Sequence, residues 1–231
     1  MRVEVLPEAE AVARRAAEII AGEARAAVAA RGAFLLATSG GTTPWRMLRL
    51  LAELDVPWPF VQLFQVDERV APAGHPDRNL THLERSLLAR VPLPPGHFHA
   101  MPVGEADLER AATRYAATLR DIAGEPPVLD LVHLGLGDDG HIASLVPGDA
   151  ALDVTDTDVA VTGAYQGRRR MTLTFPLLNR SRRLLWVVTG SGKREALARL
   201  RRGDHSLPAG RLCTHTAWLL ADGEAAGSPT L

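Results

Sequence analysis

Short apolar runs alternate with amphipathic helical stretches along most of the chain, and that alternation leaves few folds open. Residues 8–31 carry Val12, Ala16, Ile19, Ala27 and Val28 at helical spacing, with Glu10/Arg14 and Arg14/Glu18 as i,i+4 pairs on the polar side. Gly32 follows in the usual position for ending a helix. An apolar run at 33–37, a glycine-rich turn and a helix opening at Pro44 and continuing over 45–54 come next. Further apolar runs lie at 60–66, 128–134, 171–175, 184–188 and 216–220, with helices expected over 80–90, 105–123 and 193–202. Apolar strands separated by helices are covered on both faces. The expectation is therefore α/β, with a mostly parallel sheet in a Rossmann-like three-layer αβα sandwich. No long linker or internal repeat breaks the pattern, so residues 1–231 read as one domain.

Composition narrows the partners. Lys plus Arg number 26 and Asp plus Glu 27, a net charge of −1, so no overall basic field exists to hold nucleic acid or an anionic membrane. One cysteine, Cys213, cannot form an internal disulfide, which fits a reducing compartment. Acidic residues follow Met1 almost at once, with no apolar leader, and no stretch approaches the ~20 apolar residues of a membrane span. A soluble cytoplasmic domain is expected, with its oligomeric state left open.

In open parallel sheets, ligands bind beyond the carboxyl ends of the strands. Three apolar runs end in polar segments, read here as loops: Ser39 to Pro44, Asp67-Glu68-Arg69, and Gly135 to His141. In the first, Gly40 and Gly41 let backbone N–H groups approach a ligand and the following helix directs its positive end there, as an anion such as phosphate requires. A plain tight turn with a Ser39 or Thr42 cap is the alternative. In the second, Arg69 suits a bidentate phosphate contact and Asp67 suits sugar hydroxyls, against a simple surface ion-pair cluster.

The third contains a formal G-x-G-x-x-G at 135, 137 and 140, with Asp156 downstream. A dinucleotide fingerprint is disfavoured there. Asp138 and Asp139 would repel a pyrophosphate, and Asp156 precedes an apolar run rather than closing one. His141 among glycines beside a carboxylate reads instead as a general base, with Asp139 either orienting it or contacting a sugar.

Lys193 is the chain's only lysine, at a glycine-rich turn, Thr189-Gly190-Ser191-Gly192-Lys193, where a compact ammonium clamping phosphate is a reason not to use arginine. It is not a Walker A lysine, because Val187 and Arg194 stand where that motif needs Gly and Ser/Thr. Residues 168–204 are strongly basic, with only Glu195 and Asp204 against them, but carry no stacking aromatics; they read as a solvated face with Arg170 turned inward. His97 and His99 share a face but lack a third ligand, so no metal is expected.

Taken in order, Ser39-Gly40-Gly41-Thr42-Thr43-Pro44, then Asp67-Glu68-Arg69-Val70-Ala71-Pro72 with Asn79 downstream, then Gly135 through Gly148, Arg170-Met171-Thr172-Leu173-Thr174 and Gly190 to Lys193 resemble the 6-phosphogluconolactonase family. The resemblance spans nearly the whole chain. It implies a sugar-phosphate isomerase/deaminase-like fold and hydrolysis of 6-phospho-D-glucono-1,5-lactone to 6-phosphogluconate, in the oxidative pentose phosphate pathway. It implies His141 as general base and Asp139 as its partner. Ser39, Gly40, Gly41, Thr42, Asp67, Arg69, Asn79, Arg170 and Lys193 would then hold phosphate and sugar, with no metal or organic cofactor. Related glucosamine-6-phosphate deaminases continue their DGH turn with a functional Glu where this chain has Val146. Arg78, Ile142 and Val146 depart from the lactonase pattern. Such a deaminase, a nicotinamide dinucleotide oxidoreductase and a non-catalytic sugar-phosphate or nucleic-acid module are the competing readings.

Overall fold

The computed structural model describes residues 1–227; the last four positions of the expected 1–231 domain lie outside them. The elements run β1 (Arg2–Leu6), α1 (Ala9–Arg31), β2 (Phe34–Thr38), α2 (Thr42–Leu51), β3 (Val61–Gln65), β4 (Asp67–Arg69), α3 (Asn79–Ser86), β5 (Phe98–His99) and α4 (Leu108–Ala123). They continue with β6 (Leu131–Leu134), β7 (Val159–Val161), β8 (Arg170–Leu173), α5 (Phe175–Arg180), β9 (Leu184–Val188), α6 (Arg194–Arg201), β10 (Trp218–Asp222) and α7 (Gly223–Ala226).

Seven strands form a sheet in the order β1-β10-β9-β6-β2-β3-β5, every neighbouring pair parallel. Its two faces are buried by alternate residues of the same strands, the period of two that a strand imposes. Leu36, Leu63, Leu131, Leu185 and Leu220 pack with α1, α2 and α3. Ala37, Phe64, Val132, Trp186 and Leu219 pack with α4, α5, α6 and a second, three-stranded sheet on the opposite side. Double burial is why these strands read as unbroken apolar runs, and each fully buried Leu contributes about 1.5–3 kcal/mol. The chain is thus an αβα sandwich, as its alternation predicts. Gly32 ends α1 at a φ of 79°, donating to the Val28 carbonyl over 2.8 Å.

The small sheet, β4-β8-β7, is antiparallel and corrects the sequence reading of Asp67-Glu68-Arg69. That triplet is not a loop but strand β4, paired Asp67 to Thr172 and Arg69 to Arg170. The chain leaves the large sheet at Val66, whose carbonyl accepts from the Leu173 N–H over 2.9 Å. Partnership with β8, a hundred positions downstream, turns a polar triplet into a strand. Other differences are smaller. Helix α2 starts at Thr42 rather than Pro44, because a proline is tolerated anywhere in the first turn, where N–H groups lack helical partners. Strand β1 and helices α5 and α7 have no counterpart among the expected elements.

Strand order places the ligand crevice. From β2 the chain proceeds to β3 on one side; from β6 it proceeds within the large sheet to β9 on the other. The order reverses between β2 and β6, and the loops leaving these two strands diverge to open a cleft. Those loops are Ser39-Gly40-Gly41 and Gly135 to His141.

Candidate active site

A cavity of about 410 Å³ sits at this switch point. The loop after β2 contributes Ser39, Gly40, Gly41 and Thr42; β4 and β8 contribute Asp67, Arg69 and Arg170; α3 contributes Asn79. The turn after β6 adds His141 and the turn after β9 adds Lys193. Every sequence-predicted binding residue therefore faces one cavity, and His141 lines it with them. Asp139 does not line it. Asp139 stands behind the imidazole, its Oδ1 2.6 Å from His141 Nδ1 and 3.1 Å from the His141 backbone N. Of the two roles open to Asp139, this position favours orienting the ring over touching a sugar.

The turn around His141 is built for closeness. The Gly137 N–H donates to the His141 carbonyl over 2.8 Å, and the Gly140 N–H to the Gly137 carbonyl over 3.0 Å. A β-carbon on Gly137 would lie 2.0 Å from His141 Nδ1 and 2.5 Å from Asp139 Oδ1, so only glycine lets the pair form. Because a carboxylate only accepts, Nδ1 carries the proton and Nε2 is left as the basic nitrogen. Burial pushes the Asp139 carboxyl up, but hydrogen bonds from the His141 backbone and ring, with one from Tyr165, outweigh it and hold the group below its ordinary value.

Strand β4 divides its triplet by the same period of two. Asp67 and Arg69 face the cavity, whereas Glu68 points away and is wholly buried. The Glu68 carboxylate accepts from the backbone N–H groups of Arg69, Asn79 and Leu80 over 2.7–2.8 Å and from Gln65 Nε2 over 2.9 Å, and pairs with Arg78 at 3.3 Å. An anion on the first N–H groups of α3 is favourable by its helix dipole as well as by hydrogen bonding. It fixes the start of α3 and so the Asn79 side chain, which donates to the Asp67 carbonyl over 3.0 Å and accepts from Arg69 over 2.9 Å. Arg78, a departure from the family pattern, is thereby a buried partner of Glu68. Asp67 also accepts from Ser144 Oγ over 2.6 Å.

The cationic lining is poised for an anion. Arg69 and Arg170 are register partners across β4 and β8, and the Nε of each is buried without a hydrogen-bond partner among the described residues. Burial, then the neighbouring Arg69 charge, lowers the Arg170 pKa. Two adjacent guanidinium groups with unspent donors favour a ligand that supplies negative charge. The Lys193 ammonium donates to Asp138 over 2.7 Å. Most of the remaining lining comes from the same loops, and two non-glycine residues at its edge, Ala143 and Gln166, adopt positive φ of 51° and 53°.

Sequence reasoning missed several residues that shape the site. His133 on β6 is fully buried and accepts the Ser39 N–H at Nδ1 over 3.3 Å, anchoring the first glycine loop. Thr43 and Thr189 share a hydrogen bond of 2.7 Å that ties α2 to the lysine turn. Tyr165 donates to Asp139 Oδ2 over 3.2 Å. His97 and His99 sit outside the cavity: His97 Nδ1 contacts the Val61 carbonyl at 3.0 Å, and His99 bonds Gln62 and stacks on Phe64. Asp156 is exposed just ahead of β7, not at the carboxyl end of a strand. Among the described residues no group of three or more His, Cys, Asp or Glu is arranged for a metal ion, and no helix is long and apolar enough to cross a membrane.

Residues 7–220 match the model of a family described as glucosamine-6-phosphate isomerases/6-phosphogluconolactonase. The chain belongs to that family. A 6-phosphogluconolactonase of Nostoc sp. (strain PCC 7120) is 37% identical over 86% of this chain and 84% of its own length. The 6-phosphogluconolactonase of Mycobacterium tuberculosis is 36% identical over 99% of this chain and 98% of its own. The crystal structure of 6-phosphogluconolactonase from Thermotoga maritima superposes with a TM-score of 0.85, at 26% identity, covering 96% of this chain and 98% of that one.

Proposed function

We propose that this chain hydrolyses 6-phospho-D-glucono-1,5-lactone to 6-phosphogluconate, with His141 as the general base. One observation carries the reading: the imidazole held by Asp139 opens onto the same cavity as Arg69, Arg170 and Lys193. A phosphorylated sugar lactone needs both, a base for water and cations for its phosphate. His141 Nε2 takes a proton from water as the oxygen attacks the ring ester carbonyl. The tetrahedral intermediate collapses with cleavage of the bond from the carbonyl carbon to the ring oxygen, and the imidazolium returns its proton to that oxygen. Such a base supplies about 10²–10⁴-fold, and each oxyanion donor from a glycine turn about 10²–10³-fold. Asp139 keeps Nδ1 protonated and stabilises the imidazolium. Arg69, Arg170, Lys193 and the Ser39 to Thr42 loop hold the phosphate, while Asp67 and Asn79 meet sugar hydroxyls.

The deaminase reading has less support, since Val146 is buried and offers no proton-transferring group at the position where that branch carries Glu. The test is an assay on freshly prepared 6-phosphogluconolactone, corrected for spontaneous opening, run beside glucosamine 6-phosphate. Catalysed acid release from the lactone without ammonia from the amino sugar supports the reading; the reverse pattern overturns it.

A further inference from the structure

We propose that Tyr165 is a positioning residue for this reaction, holding the Asp139–His141 pair and the Arg170 cation in register through one side chain; the inference rests on the functional reading above. Residues 162–169 form the hairpin between β7 and β8. The Tyr165 and Arg168 backbones bond each other at 3.0 and 3.2 Å, across a tip in which Gln166 and Gly167 have φ of 53° and 76°. Two successive positive φ values make a tight hairpin turn whose twist suits its strands. Tyr165 therefore stands on a rigid base rather than on a free loop.

From there it makes three contacts. Its hydroxyl donates to Asp139 Oδ2 over 3.2 Å. Its ring meets the His141 imidazole edge-on, centroids 5.5 Å apart at 66°. Its face carries the Arg170 guanidinium, 4.9 Å from the ring centroid. The first contact fills a gap. Asp139 Oδ1 already serves both the backbone and the ring of His141, which leaves Oδ2 as the oxygen that sets the rotation of the carboxylate. With the Asp139 side chain 37% exposed, water would otherwise compete for Oδ2 and loosen the ring it orients. The third contact aligns the nearly buried Arg170, whose Nη2 also reaches Gln166 Oε1 at 3.2 Å. The charged and titratable groups facing this cluster are Asp138, Asp139 and His141 from the turn after β6, Lys193 through Asp138, and Arg170 from β8.

Two substitutions separate the contacts. Tyr165→Phe keeps the ring and removes the hydroxyl. It should lower kcat roughly 10-fold with KM within about twofold of wild type. It should also move the acid limb of the kcat–pH profile, because Asp139 Oδ2 exchanges a fixed hydroxyl donor for mobile water beside the imidazole. Tyr165→Leu removes the ring as well and should add a KM increase of about 3–10-fold for the phosphorylated lactone. Both should keep the wild-type Tm, since the ring is only half-buried. A Tyr165→Phe enzyme with wild-type kcat and an unmoved acid limb, beside an inactive His141→Ala enzyme, overturns the Tyr165 assignment alone. A fully active His141→Ala enzyme overturns the functional reading and this assignment with it.

Discussion

The Lys193 ammonium lies 2.7 Å from the Asp138 carboxylate, although the two residues stand 55 positions apart. One leaves the turn after β9 and the other the turn after β6, so the contact joins two loops that line the cavity. The hydrogen bond from Lys193 is the main reason the Asp138 carboxyl sits below its ordinary value. If Lys193 holds the substrate phosphate, as proposed, that phosphate would compete with Asp138 for the same ammonium.

That competition predicts substitutions of opposite sign. Lys193→Ala should raise KM for the phosphorylated lactone about 10-fold or more, with a far smaller effect on unphosphorylated gluconolactone. Asp138→Asn should strengthen inhibition by inorganic phosphate by about 2–5-fold, the modest gain expected when an exposed ion pair is released. Steady-state kinetics with both lactones and with phosphate as inhibitor read both effects. Equal changes for the two lactones in Lys193→Ala would count against a phosphate role.

Two glycines should fail in different ways. Gly137→Ala would push a methyl to 2.0 Å from His141 Nδ1 and should lower kcat about 100-fold by displacing the ring. Gly40→Ala would meet Asn79 Oδ1 at 2.2 Å and Trp45 at 2.9 Å, so its main effect should fall on KM. Circular dichroism would check that both remain folded; kcat and KM measured side by side decide. A Gly137→Ala enzyme with normal kcat would show that the Asp139–His141 contact does not matter.

Much of this site was legible because glycine and charge punctuate the apolar runs. Ser39 to Thr42 and Gly135 to His141 announced themselves as strand-end turns, and Lys193 stood out as a lone lysine in an arginine-rich chain. What stayed hidden depends on partners distant in sequence. Asp67-Glu68-Arg69 reads as a polar loop until β8 is present to pair with it. Glu68 gives no sign that it will hold the first N–H groups of α3. Tyr165 lies in a stretch whose charges dominate its composition, and its meaning comes from a hairpin that carries it to Asp139. Strand β1 is a different case: Arg2-Val3-Glu4-Val5 has a strand's alternation, but it is one short edge segment whose valines stay exposed, so no long apolar run draws attention to it.

His133 predicts a pH dependence of stability. Burial pulls its imidazole from 6.5 down to about 3. Below pH 6.5 the unfolded chain takes up a proton that the folded chain refuses, so stability is full above that pH and falls as pH drops toward 3. The slope from this one group is about 1.4 kcal/mol per pH unit. Urea unfolding at pH 6.5 and pH 5 should show a loss of about 2 kcal/mol in the wild type that His133→Gln does not share. Parallel losses in both proteins would remove His133 from the account.

A base on the turn after β6 and a cation cradle from β4, β8 and the lysine turn are proposed to act on one molecule. Hydrolysis of 6-phosphogluconolactone by wild type and His141→Ala, each corrected for spontaneous opening, tests that proposal most directly. In His141→Ala, kcat should fall about 10²–10⁴-fold, with an unchanged Tm and little change in KM. Wild-type turnover in that variant, or a wild-type chain that does not accelerate lactone opening at all, would contradict it.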